Sequence, residues 1–147
     1  KVTGVQTCAL PILANGGRSV PMHGVERIYD LGICRSETLL DRCPASGVFR
    51  PLAEKPQQLL DPGVATAMDG MLQRAVAIGT GRPASVIADA RGKTGTTNNG
   101  VDAWFIGYSP QRGVLTGIWF GNDDNHPAEA AAGALAAELW GQVMQEV

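Results

Sequence analysis

Two stretches of the chain carry apolar residues at helical spacing, and three shorter stretches between them alternate. The first helical stretch opens at Asp61-Pro62, where the aspartate can cap the orphan amides of a first turn and the proline loses no needed hydrogen bond. Val64, Met68, Met71, Leu72, Ala75 and Val76 then share one face, and Gly79 ends the helix. The second stretch follows Pro127. Leu135, Leu139 and Val143 recur at a spacing of four beside a parallel row of Ala136, Trp140 and Met144. This predicts a helix of roughly 18 residues with a wide apolar stripe.

Between the helices, alternation predicts strands at about Ala88 to Thr97, Asp102 to Tyr108 and Val114 to Gly121. Asn98-Asn99-Gly100 predicts a hairpin turn, because Asn-Gly accepts the positive φ values of a type I′ turn. On the second strand Trp104, Ile106 and Tyr108 face one way, and Phe105 and Gly107 the other. On the third, Leu115, Gly117 and Trp119 oppose Val114, Thr116, Ile118 and Phe120. Both faces of such a sheet are apolar, so helices must cover both. The expected fold class is α+β, an antiparallel sheet flanked by helices.

The chain before Asp61 is less regular. Asn15-Gly16-Gly17 interrupts helix or strand. Val25 to Tyr29 alternates weakly and suits a short edge strand. Gly32 to Gln58 is polar and broken by Pro44, Pro51 and Pro56, so it reads as loop with a helical turn at Glu37 to Asp41. Gly79-Thr80-Gly81 invites a phosphate-loop reading, but it follows a helix where a phosphate loop follows a strand. It reads instead as the turn into the next strand.

Composition narrows the function classes. The 147 residues have the length of one ordinary domain, and 44% hydrophobic with 18% charged residues marks a packed chain rather than a disordered one. A net charge of −2 provides no basic stripe for nucleic acid, and no apolar run approaches the roughly 20 residues of a membrane helix. Cys34 and Cys43 close a short loop, and the sequence leaves open both a disulfide in an oxidising compartment and two free thiols. With Cys8 as the remaining cysteine, His23 and His126 as the only histidines, and no Cys-x-x-Cys, neither a metal nor a cofactor is expected.

Candidate chemistry concentrates in Arg91 to Pro110. Strand alternation sends Lys93 and Gly95 to one face and Thr94 and Thr96 to the other. A twist or bulge near Gly95 would bring the cation and a hydroxyl to one cleft, and the glycine would admit a substrate backbone. A cation and a hydroxyl suit a carboxylate, and a strand edge suits main-chain hydrogen bonding. In isolation the four-residue pattern reads better as a solvated lysine beside two ordinary β-formers, since such short matches are common by chance. Asp102 reads as a turn-fixing residue and Trp104 as a packing residue. Asp123 and Asp124 sit in a strand-ending turn, and His126 belongs to the surface.

The longer context decides between these readings. Lys93-Thr94-Gly95 resembles the Lys-Thr-Gly element of the penicillin-binding proteins and serine β-lactamases. Gly92 to Asn98, Asp102 to Pro110 and Gly117 to Asp124 follow the order and spacing seen in bifunctional (class A) penicillin-binding proteins. Leu13-Ala-Asn-Gly-Gly17, Met71-Leu-Gln73 before Gly79-Thr-Gly81, and the Ala-rich terminal helix with Trp140 fit as well. The resemblance thus runs from Leu13 to the C-terminus. It implies a partial penicillin-binding transpeptidase (β-lactamase-like) fold, with residues 13–147 as the C-terminal portion of that domain. Residues 1–12 depart from it and read as a foreign, dispensable leader, with a divergent helix as the alternative reading.

The resemblance also implies function. Lys93 and Thr96 would be catalytic, and Thr94, Gly95 and Thr97 would bind substrate. Lys93 and Thr94 would sit beside a catalytic serine. Thr96 would hold the substrate or penicillin carboxylate and lend its backbone amide to the oxyanion hole. Ligands would be peptidoglycan stem peptides and β-lactams. Partners would be the rest of the transpeptidase domain, a glycosyltransferase domain and a membrane anchor, all on the extracytoplasmic side. Neither companion motif is present: no serine has a lysine three residues on, and none is followed two residues later by asparagine. The chain therefore resembles the substrate-binding half of an acyl-transfer site. Two rival readings are a β-lactamase-like serine hydrolase, which needs a water-activating carboxylate, and a non-catalytic peptidoglycan-binding module.

Overall fold

The structure, a computed structural model, describes residues 3–20, 25, 27–34, 43–49, 55–124, 126–128 and 132–147. His23 and the helical turn expected at Glu37 to Asp41 lie outside the described residues. The chain forms two compact units, Val20–Gln57 and a larger one of Lys1–Ser19 with Gln58–Val147.

In the smaller unit, β1 (Ile28–Tyr29) pairs antiparallel with β2 (Val48–Phe49). The strand expected from Val25 shrinks to its last two residues because its partner offers only two positions. Cys34 and Cys43 form a disulfide, with Cα atoms 5.0 Å apart. Closing so short a loop contributes about 2.5 kcal/mol by the chain-entropy argument. Reduction is therefore expected to speed amide exchange in residues 28–34 and 43–49. Unchanged exchange there would mean that the small hairpin stands without the bond.

Among the described residues the larger unit holds three α-helices, α1 (Thr3–Ala14), α2 (Pro62–Ala77) and α3 (Ala132–Glu146), and the sheet β3 (Arg91–Thr96), β4 (Asp102–Ser109), β5 (Val114–Gly121). The sheet is an antiparallel meander in the order β3-β4-β5. Its two faces sort as the alternation predicts. Phe105 meets Trp140 edge-on at 5.3 Å, within a buried cluster that includes Ala136, Ala137 and Met144 of α3 and Val76 of α2. On the opposite face Ile106 and Tyr108 pack with Leu10 of α1 and Leu72 of α2, flanked by Trp104 and Leu115. Helices cover both faces, as two apolar faces require. The Trp140 indole is fully buried and donates to the Thr116 carbonyl at 3.2 Å.

Four details depart from the periodicity reading. On α3 the row that meets the sheet is Ala136, Trp140 and Met144, while Leu135 and Val143 stay 44% and 40% exposed. Small alanines let the helix approach closely, and the indole fills the remaining depth. On α2, Ala65, Leu72 and Val76 are buried, whereas Val64, Met68 and Met71 are not. Strand β3 begins three residues later than expected, because Arg82–Val86 forms a 3-10 turn and the Ala90 amide closes on Ile87. The hairpin is a four-residue loop rather than a two-residue type I′ turn. The Thr97 amide donates to the Asp102 carbonyl at 3.0 Å, with φ of 63° at Asn99 and 69° at Gly100 in between. The residues that accept positive φ are thus used as expected, in a longer loop.

Helix α1 runs through the boundary drawn at residue 12, and Leu10 is only 7% exposed. Leu10→Ala is expected to lower stability by at least about 2 kcal/mol, read from the urea midpoint. An unchanged midpoint would support a dispensable leader.

Candidate functional site

Strand β3 is the edge of its sheet: among the described residues only β4 pairs with it, one residue to one from Arg91↔Tyr108 to Thr96↔Ala103. The register contains no bulge at Gly95. In an antiparallel pair, residues alternate between turning their backbone groups to the partner and turning them away. Since Thr97 donates to Asp102, Gly95, Lys93 and Arg91 face β4. Thr96, Thr94 and Gly92 present their N–H and C=O groups to the free edge. Gly92 must lack a side chain, because a β-carbon there would collide with the Phe105 ring.

Lys93 and Thr94 come together at that edge without a backbone irregularity. The exposed Lys93 side chain wraps the strand, and its Nζ donates to the Thr94 carbonyl at 2.7 Å and to Thr94 Oγ1 at 3.3 Å. This corrects the expected route: side-chain length, not a bulge, joins the cation and the hydroxyl. Thr94 Oγ1 also lies 2.6 Å from Thr80 Oγ1, in the turn after α2. Sequence reasoning passed over Thr80 as part of a turn.

Thr96 projects toward α3, its Oγ1 3.7 Å from where a β-carbon on Gly133 would sit. Gly95 stands opposite Trp104. Thr97 is engaged in the loop: its hydroxyl accepts from the Asp102 amide at 2.8 Å and donates to Asp102 Oδ2 at 3.3 Å. Asp102 Oδ1 accepts from Trp119 Nε1 at 3.0 Å, and Trp119 lies 6.2 Å from Trp104. Asp102 and Trp104 thus brace the hairpin end of the site. The Ala128 amide donates to the Gly100 carbonyl at 2.7 Å, tying the segment before α3 to the same loop.

The other end of β3 is pinned by charge. Asp69 of α2 accepts from Arg91 Nε at 3.1 Å and from the Tyr108 hydroxyl at 2.6 Å. Burial, then the Asp69 carboxylate, pushes the Tyr108 phenol far above its ordinary value, so it stays a donor. Burial alone would raise the Asp89 carboxyl. The Gln111 amide and Ser109 hydroxyl, with the Arg91 charge, outweigh it and hold Asp89 below its usual value. A cleft of about 380 Å³ beside α2, lined by residues such as Arg74, Ser85 and Ile87, includes none of the candidate residues. Asp124 pairs with His126 at 2.8 Å in an exposed turn. No group of His, Cys, Asp or Glu suited to a metal occurs among the described residues. None of their helices is long and apolar enough to cross a membrane.

Comparison with known proteins gives this edge its context. Residues 3–145 match the family described as the penicillin binding protein transpeptidase domain. The chain is 35% identical over 136 residues to penicillin-binding protein 1A of Neisseria flavescens, across 88% of this chain and 15% of that protein. It is 33% identical over 144 residues to penicillin-binding protein 1A of Neisseria gonorrhoeae, across 93% of this chain and 16% of that protein. Against penicillin-binding protein 1B of Vibrio cholerae the identity is 28% over 136 residues, with 90% and 16% covered. The chain therefore spans about one-sixth of the length of these relatives. A match over nearly all of its residues, with Lys93-Thr94-Gly95 on an open strand edge, shows that the chain belongs to the penicillin-binding protein transpeptidase domain family.

Proposed function

We propose that this chain is the C-terminal portion of a peptidoglycan D,D-transpeptidase and supplies the strand that grips the acyl donor. The observation that carries the reading is the free edge of β3, where Thr94 and Thr96 turn their backbone groups outward and Lys93 folds over the edge. In the complete protein a serine from elsewhere attacks the penultimate D-Ala carbonyl of a stem peptide, D-Ala leaves, and an amine of a neighbouring stem takes the acyl group. Lys93 and Thr94 stand beside the serine. The Thr96 hydroxyl binds the donor carboxylate, and its amide joins the oxyanion hole, where one donor contributes about 3 kcal/mol. Gly95 lets the donor backbone come close. Thr97 binds the donor from the start of the loop, where its hydroxyl is also held by Asp102. Penicillins imitate the donor and leave a slow acyl-enzyme.

The proposal includes an extracytoplasmic setting, with a membrane anchor and a glycosyltransferase domain in the full-length protein. The Cys34–Cys43 disulfide supports an oxidising compartment. The test is to compare the full-length polypeptide with the 147-residue chain in labelling by a fluorescent penicillin and in release of D-Ala from a stem-peptide donor. The full-length protein should do both. If a full-length protein lacking any Ser-x-x-Lys were labelled, or an intact one were not, the reading would fall.

A further inference from the structure

The Lys93–Thr94 pair has a third member, Thr80, to which sequence reasoning assigned no role beyond its place in the Gly79-Thr80-Gly81 turn. Thr80 follows Gly79 in the turn between α2 and β3, and its hydroxyl oxygen lies 2.6 Å from that of Thr94. A lysine ammonium offers only donors, so at 3.3 Å Thr94 Oγ1 accepts from Lys93 Nζ. The Thr94 proton is then free to point at Thr80. With either hydroxyl supplying the shared proton, the result is a linked chain of Lys93, Thr94 and Thr80 along the open edge of the sheet.

Thr80 is well placed to fix this chain because its own turn is fixed. The Gly81 amide donates to the Ala75 carbonyl at 3.1 Å, and the Arg82 amide to the Gly79 carbonyl at 3.2 Å. Gly81 is buried under Phe105, where a β-carbon would come within 3.1 Å of the ring. Lys93, by contrast, is exposed, and its four-carbon stem has many rotamers of similar energy. A hydroxyl anchored to the α2 turn removes one of those freedoms by setting the Thr94 rotamer that receives the ammonium.

We infer that Thr80 is a positioning residue for acyl transfer, holding Thr94 and through it the Lys93 ammonium at the edge of β3. The inference rests on the transpeptidase reading above. Thr80 touches no substrate in this scheme and acts through the other two residues.

The test uses the full-length polypeptide carrying this segment, with Thr80→Val, Thr80→Ser and Lys93→Ala compared to the parent. Fluorescent penicillin is followed by stopped flow, which separates the affinity of the non-covalent complex from the acylation rate constant. Thr80→Val keeps the shape and removes the hydroxyl. It should lower the rate constant about fivefold, as expected for loss of one hydrogen bond, with little change in affinity or melting temperature. Thr80→Ser should return to within about twofold of the parent, because it restores the hydroxyl. Parental acylation by Thr80→Val beside slow acylation by Lys93→Ala would overturn the role of Thr80 alone. Parental acylation by both would overturn the site reading beneath it. Equal loss in the Val and Ser variants would assign the effect to the threonine's packing and overturn the hydroxyl chain.

Discussion

Incubated with a fluorescent penicillin, the 147-residue chain alone is expected to gain no covalent adduct. None of its five serines belongs to a Ser-x-x-Lys sequence. Among the described residues, Ser109 is paired with a carboxylate. Its hydroxyl donates to Asp89 at 2.8 Å and accepts from the Arg112 amide at 3.2 Å, and it is 1% exposed. That arrangement ties off the turn after β4 and keeps the Ser109 oxygen away from the surface. Loss of the nucleophile from a cooperating catalytic group costs on the order of 10⁶ in rate. Intact-mass spectrometry decides the matter, since a stoichiometric mass increase by one penicillin would place a nucleophile within these residues.

Lys93→Ala in the full-length protein should slow penicillin acylation by roughly 10- to 150-fold, the rate equivalent of a charge-assisted contact worth about 1.5 to 3 kcal/mol. Stability should hardly move. The Lys93 side chain is exposed, and both of its hydrogen bonds go to the neighbouring Thr94 at the strand edge. Truncating it opens no cavity, and surface changes away from such features usually stay within about 0.5 kcal/mol. The two readouts separate a chemical role from a structural one. Acylation of the variant at the parental rate, with the protein folded, would remove Lys93 from the site.

Much of this was legible in the sequence because it depends on local rules. Period-two alternation placed Trp104, Ile106 and Tyr108 opposite Phe105 and Gly107, and the packed clusters follow that division. An Asp-Pro start marked α2, where Asp61 caps the Gly63 and Val64 amides. The strand carrying Lys93 to Thr96 and the presence of a turn after it were legible from residue type and order, while the length of that turn was not.

Only the tertiary structure decided which of two neighbouring apolar rows on α2 and α3 meets the sheet. Periodicity defines a stripe, while the depth available beneath it selects Ala136, Trp140 and Met144 over Leu135 and Val143. The same holds for contacts between residues far apart in the chain. Asp69 with Arg91 and Tyr108, Thr80 with Thr94, and Trp119 with Asp102 leave no periodic trace, because each depends on where two separate elements come to rest. Sequence alone established that a lysine and threonines lie on one strand. That the strand forms a sheet edge, and that a flexible lysine folds over it onto a hydroxyl braced from the α2 turn, follows only from packing, since an edge is defined by the neighbours a strand lacks.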